Sequence, residues 1–413
     1  MAAPAALGAI EYAPETAFAE SSSTFSTHRL PLLGAVDVSG LTHEKQASDR
    51  VEQYRQGGSQ WVLMGQGGSF TVKMDLTGHG ATTAGSPTLD ALETYLGYVF
   101  GNVALSASAS TTATGGTANV VTTAASGTFS AGALCRIGAG GLSADARGGG
   151  QFHAISSHTS TNLTLLTNAG AAPNNGDVIY PAAMIYPSET PSSGLDGTTP
   201  GLRFRLLTAN LQYACHGCFP TAVNLTGLNS GERPQIEVTW QVSRWSAVSA
   251  TFPSAVTSNQ YNPAPIAAGS LFVNSVGTAT RAVRSYRGFS VSYTLGVEPL
   301  LGPGGVSEYQ SVIGCRRTVD SIKVSWTEDA DAATATPVLQ GYGTGTTSLH
   351  VLWTGSVTAG SAIGIYLPKV CVTNVPVQKM DGNINRLTIE GQAYTGPTTT
   401  NDLTASAFRL AFA

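Results

Sequence analysis

One short pattern occurs twice in this chain and constrains the fold more than any other feature. A strand-like segment containing proline runs into a polar turn with glycine, and a second segment with alternating apolar positions follows. The first copy is Cys218-Phe219-Pro220-Thr221-Ala222-Val223-Asn224-Leu225, then Gly231, then Ile236, Val238, Trp240 and Val242. The second is Tyr366-Leu367-Pro368-Lys369-Val370-Cys371-Val372, then Gly382, then Leu387, Ile389 and Tyr394. The copies lie about 150 residues apart, close to a common domain length. A repeat at that distance predicts a duplicated all-β module, because internal duplication fixes architecture before local signals do.

The 413 residues suffice for two or three domains, and 42% hydrophobic content suffices for sizeable cores. Only 11% of residues are charged, less than half the usual share. Either hydroxyls and amides keep the surface wet, or neighbouring subunits bury much of it. The net charge of −4 offers no basic footprint for gripping nucleic-acid phosphates. No apolar run is long enough for a membrane span. The start lacks a basic region followed by an apolar core, so no secretory signal is expected. Five cysteines, an odd count, argue against a disulfide framework and for folding in a reducing cytoplasm.

Residues 1–58 read as a polar extended arm with apolar anchors at Tyr12, Phe18, Phe25, Leu30, Leu32 and Leu33. A free arm of this kind is expected to order by docking on a neighbour. Phe70, Val72, Met74 and Leu76 alternate with polar residues, the period of a half-buried strand. Ser86-Pro87 then opens a helix whose apolar stripe is Leu89, Leu92, Leu96, Val99 and Phe100, with Gly101 as its stop. Residues 102–125 read as a linker or weak strands. Short strands with Gly/Asn turns from Gly127 to Pro181 predict a small barrel inserted at 117–181. The first module is thus 59–101 plus 202–245. A connector spans 246–268, the second module 269–395, and a C-terminal segment 396–413.

Chemical motifs are sparse. Cys215-His216-Gly217-Cys218 offers two thiolates, but a tetrahedral zinc site needs four ligands. No second Cys-x-x-Cys supplies the rest, and His153 and His158 sit far upstream, so structural thiols are the favoured reading. Glu328, Asp329 and Asp331 lack the glycine and terminal glutamate of a calcium loop and read as a solvated hairpin tip. Gly65-Gln66-Gly67-Gly68-Ser69 lacks the Lys-Ser/Thr of a phosphate loop. Arg281, Arg284 and Arg287, and the pair Arg316-Arg317, are the densest basic spots and read as solvated positions. No catalytic residue, cofactor-binding residue or metal ligand is expected, and the chain reads as a non-enzyme with no cofactor.

Taken in order, these segments resemble the tail tube proteins of long-tailed, non-contractile bacteriophages, in particular the larger kind with a duplicated tube module. The resemblance runs from the arm ending at Gln60-Trp61 through Gly65 to Phe70 and the helix to Phe100. It continues through Gly217-Cys218-Phe219-Pro220, Phe289 to Glu298, Gly314 to Glu328 and the closing Leu367-Pro368 to Tyr394 hairpin. It implies an all-β fold with one flanking helix: two tandem antiparallel β-sandwich modules plus the inserted barrel. It also implies trimeric rings with pseudo-sixfold symmetry, stacked into a tube in the virion tail. Tape-measure, tail-terminator and tail-tip proteins are the implied partners, and DNA passes through the lumen without specific binding and without any membrane. Other readings are a different virion β-protein (capsid, decoration or tail tip) or a carbohydrate-binding β-sandwich.

Overall fold

The computed structural model describes residues 8–15, 30–47 except 31 and 35, 61–77, and 91–187 except 125–127, 139–149, 168 and 170–171. It further describes 201–249 except 209–210 and 230, 269–329 except 276–282, 285 and 303–310, 349–394 except 356–361, 375–376 and 382–383, and 403–413. Those residues form an all-β protein with a single helix, Ala91–Phe100, large antiparallel sheets and a closed barrel.

Each proline of the repeat lies where a long strand changes neighbours. In Leu211–Thr226 the first half pairs with Leu202–Thr208 and Arg244–Ser249. The second half pairs with Gln235–Val242 and with Tyr286–Thr294. The register slips between Pro220 and Ala222. Proline has no amide hydrogen for the ladder, so a bulge is the tolerated place for it. In Ile363–Val372 the first half pairs with Leu349–Gly355 and Arg409–Phe412, and the second with Ile384–Ala393. Pro368 falls in the slip between the Leu367–Val351 and Val370–Leu349 pairs.

The duplication extends beyond the hairpins. In the first unit Gly8–Pro14 pairs Leu202–Thr208, which pairs Leu211–Thr226, then Gln235–Val242, then Trp61–Asp75, then Leu41–Ala47. In the second unit Ser270–Ser275 pairs Leu349–Gly355, then Ile363–Val372, then Ile384–Ala393, then Ser321–Asp329, then Tyr286–Thr294. Every step is antiparallel, and the chain order of the strands matches as well. The units are not separate bodies. Ala222–Leu225 pairs directly with Val291–Thr294, and the apolar sides of both units share one core that includes Trp240, Trp326 and Trp353.

The helix lies where the sequence places it, and its Leu92, Leu96, Val99 and Phe100 are buried. Tyr95 joins that buried stripe, and its hydroxyl accepts a hydrogen bond from the Trp240 indole at 2.8 Å. Gly101 ends the helix at φ 106°. Ser86 and Pro87 lie outside the described residues.

Several expectations need correction. The arm does not wait for a neighbour where it is described. Gly8–Pro14 pairs with Leu202–Thr208, and Tyr12 packs edge-on against Tyr95 at 5.3 Å. Its alternating Ile10 and Tyr12 are buried in the chain's own core. Phe18 and Phe25 lie outside the described residues. The connector begins later than 246, because Arg244–Ser249 is a strand. Of the two readings of 102–125, strands are found: Gly101–Leu105 joins the main sheet, and Thr111–Gly116 starts the barrel before 117. The C-terminal segment contributes Arg409–Phe412, which pairs Ile363–Tyr366 on one side and Ala183–Ile185 on the other. It carries the second unit's sheet on to Gly101–Leu105 under the helix.

The inserted barrel closes through Thr111–Gly116, Val120–Thr123, Asn162–Leu165, Gln151–His158, Leu134–Gly138 and Val178–Pro181. It is not a free appendage. Its Leu134, Phe152 and Ile155 form one core with Phe272, Leu352, Tyr366 and Met184 of the main sheet. A Cβ on Gly364 would lie 2.7 Å from the Phe152 ring, so only glycine permits this approach. Leu349–Gly355 is buried on both faces for this reason, whereas Gln235–Val242 alternates. Excising residues 111–181 should therefore expose Phe272, Leu352 and Tyr366, raise binding of an apolar dye and lower the denaturation midpoint. An unchanged midpoint would show that the barrel is dispensable to the sheet.

Candidate functional site

The strands that alternate create one continuous polar face. Across neighbouring strands the Cα partners run Lys73, Glu237, Asn224, Ser292, Lys323, Gln392 and Cys371. The adjacent row is Val72, Val238, Val223, Tyr293, Ile322, Ala393 and Val370, all buried. Successive side chains on a strand point to opposite faces. The sequence alternation thus becomes a dry face and a wet face that cross the junction between units without a break.

Hydroxyls and amides hold the wet face together across strands. Thr71 and Thr239 lie 3.4 Å apart, and the Thr221 hydroxyl donates to the Thr239 carbonyl at 3.2 Å. Ser292 donates to Asn224 Oδ1 at 2.8 Å, which ties the two units directly. Ser290 and Ser325 lie 2.8 Å apart, and Thr327 and Thr388 3.3 Å apart. Charge is sparse and balanced here. Lys73 stands opposite Glu237, while Lys323 and Glu390 lie one strand apart. A row of lysines or arginines would hold phosphates by releasing counterions. This face carries mixed signs and many hydroxyls and shows no such row among the described residues.

The Cys-x-x-Cys pair lies elsewhere. Gly217, at φ 59°, makes a bulge at which Cys218 pairs Leu202 and Cys215 pairs Phe204. The extra residue turns both thiols into the main core. Burial pushes the Cys215 thiol up to about 12. Burial first, then Cys215 and Glu15, pushes Cys218 well above its ordinary value. A thiol held protonated is a poor nucleophile and a poor metal ligand. Glu15 Oε1 instead accepts from the Gly217 amide at 2.9 Å and lies 3.8 Å from His216 Nδ1. It fastens the first strand to the bulge.

The remaining candidates are scattered. His153 is buried in the barrel. His158 accepts from the Phe129 amide at 2.9 Å and lies 3.3 Å from Thr123 Oγ1, so its ring belongs to the barrel's own bonding. Among the described residues no group of three or more His, Cys, Asp and Glu is placed to hold a metal ion. Glu328 corrects the solvated-tip reading: it is 2% exposed and accepts from the Trp326 indole at 3.2 Å. Asp329 pairs Arg386 at 3.5 Å, and Asp331 lies outside the described residues. Arg316 pairs Glu298 at 2.7 Å on an exposed hairpin. Arg287 is exposed, and Arg281 lies outside the described residues. Gly65–Ser69 lies within the Trp61–Asp75 strand and not in a loop before a helix. A Cβ on Gly68 would strike the Gly40 carbonyl.

Cys371 is the exception among the thiols, half-buried at the edge of the polar face. The sequence marks it only by alternation: Val370 and Val372 point inward, so Cys371 points out. Maleimide at pH 8 should label Cys371 in the native protein while Cys215 and Cys218 react only on unfolding. Equal native labelling of all three would refute the burial assigned to the pair.

No family model matches this chain, and no curated protein matches it either.

Proposed function

We propose that this chain is the structural subunit of a bacteriophage tail tube, forming closed rings that stack around a channel for DNA. The observation that carries the reading is the junction between the two units. The second half of Leu211–Thr226 is the donor edge, and Tyr286–Thr294 is the acceptor edge. By the matching strand order, the second unit's counterpart of the donor is the line of Ile363–Val372 and Val377–Asp381. The first unit's counterpart of the acceptor is Leu41–Ala47. Among the described residues, Leu41–Ala47 pairs only with Trp61–Asp75, and Val377–Asp381 only with Ile384–Ala393. Among the described residues each chain thus carries one donor line and one acceptor strand with no strand paired on the outer side, although the Thr42 carbonyl accepts from the Trp245 indole at 3.2 Å.

Bare edges are aggregation hazards unless they are covered or paired. A head-to-tail contact closes into a ring when its rotation divides a full turn. If the contact between copies repeats the one within the chain, two units per copy give a ring with twice the symmetry order in modules. Three copies would then present a pseudo-sixfold barrel, and the continuous polar face would line one side of it. On the inner side, hydroxyls and balanced charge would let DNA slide. The mature tube would carry its partners, the tape-measure, terminator and tip proteins, in the virion tail.

Two sets of variants test this. Proline placed singly along Leu41–Ala47 removes an amide hydrogen at each position, and at alternate positions that amide faces the open edge. Those alternate variants should fold and melt like the parent but fail to form hollow rings or rods in negative-stain images. Normal tubes from every position would refute the edge contact, and shells or spikes from the parent would favour another virion role. Separately, Ser292→Lys, Thr388→Lys and Gln392→Lys together should permit assembly but slow DNA delivery at low salt, through added phosphate contacts. Delivery at the parent rate would refute the role given to the face's charge.

A further inference from the structure

Where the barrel lifts away from the sheet, a cleft of about 460 Å³ opens between them, within the size range of small-ligand sites. Its floor is the barrel-facing side of the second unit. Leu352, Tyr366 and Arg409 are successive Cα partners across three strands. Leu352 lies under the barrel core, while Arg409 and Tyr366 reach the cleft together with Lys369. The same sheet face therefore changes from apolar to cationic and aromatic at the point where the barrel ceases to cover it.

Arg409 is held in place before any ligand arrives. Its side chain is 1% exposed, its Nη2 donates to the Thr404 carbonyl at 3.1 Å, and its Cζ lies 5.2 Å from the Tyr366 ring centre. The barrel side supplies Ile155 and Leu165, with the Ser156 and Thr164 side chains beside them. Among the described residues no carboxylate lines the cleft, although acids outnumber bases over the whole chain. His350 also lines it, and burial lowers that imidazole to about 4, so it is neutral at pH 7. A held guanidinium and the Lys369 ammonium beside an apolar wall match one ligand class.

We propose that this cleft binds a small molecule carrying an anionic head, a carboxylate or a phosphate, on an apolar body. The head sits between Arg409 and Lys369, where charge-assisted hydrogen bonds are strongest. The body lies on Ile155, Leu165 and the Tyr366 ring. The cleft uses no residue of Leu41–Ala47 or Val377–Asp381, although its Tyr366 and Lys369 belong to Ile363–Val372.

The test is a calorimetric titration of the full chain with 4-phenylbutyrate and with its neutral isostere, 4-phenylbutanamide. The carboxylate should bind with one site per chain and the amide about tenfold more weakly or worse. Inorganic phosphate should compete with the carboxylate. Lys369→Gln should weaken the carboxylate about tenfold, leave the amide unchanged and leave the melting curve unchanged. Arg409→Met should act in the same direction, and Lys369→Gln keeps the test open if that variant misfolds. Equal affinity for the two probes, no binding of either at millimolar concentration, or an unaltered carboxylate affinity in Lys369→Gln would overturn the proposal.

Discussion

Proline's missing amide hydrogen organises this molecule. A strand that must belong to two sheets has to break its ladder once, and a residue that cannot donate marks that break without leaving a buried donor unpaired. Pro368 lies within such a break, and Pro220, opposite Trp240, borders one. Up to Cys218 and, in the second unit, up to Val370, the strand serves the sheet that begins with Gly8–Pro14 or Ser270–Ser275. Beyond those residues, the strand line serves the sheet with the polar face. The shared core, the fastening of the first strand by Glu15 and the edge offered to the next unit all follow from those two crossings.

The fold was legible in the sequence wherever one face of a strand is wet. Gln235–Val242, Tyr286–Thr294 and Ser321–Asp329 alternate in burial as their residues alternate in polarity. The helix stripe was legible for the same reason at a different period, although Tyr95 was passed over because its hydroxyl conceals a buried role as the acceptor for Trp240. What was not legible are the segments covered on both sides. Arg409–Phe412 is buried throughout and only four residues long, so period carries no information there. The sharing of a core between barrel and sheet was hidden likewise. Phe152 and Gly364 are distant in sequence, and nothing local in either announces the other.

The candidate surface was half legible. Sparse charge and abundant hydroxyls suggested a wet polar surface. Only the register reveals that Lys73, Glu237, Asn224, Ser292, Lys323 and Gln392 fall into one row across both units. Glu328 shows the converse failure. An acidic cluster after a strand invites a solvated tip, yet pairing opposite Leu387 turns this carboxylate inward beneath the Trp326 indole. The cationic cleft was invisible, because Lys369 and Arg409 come from strands that meet only through the C-terminal segment's return to the sheet.

The central claim is that the contact within the chain foretells the contact between chains. Electron cryomicroscopy of the assembled protein tests it most directly. The account predicts a closed ring in which Leu41–Ala47 of one copy is hydrogen-bonded to the Val377–Asp381 line of the next, antiparallel, as Tyr286–Thr294 is to Leu211–Thr226 within each copy. A two-fold dimer, or an assembly that leaves both of those edges bare, would contradict it.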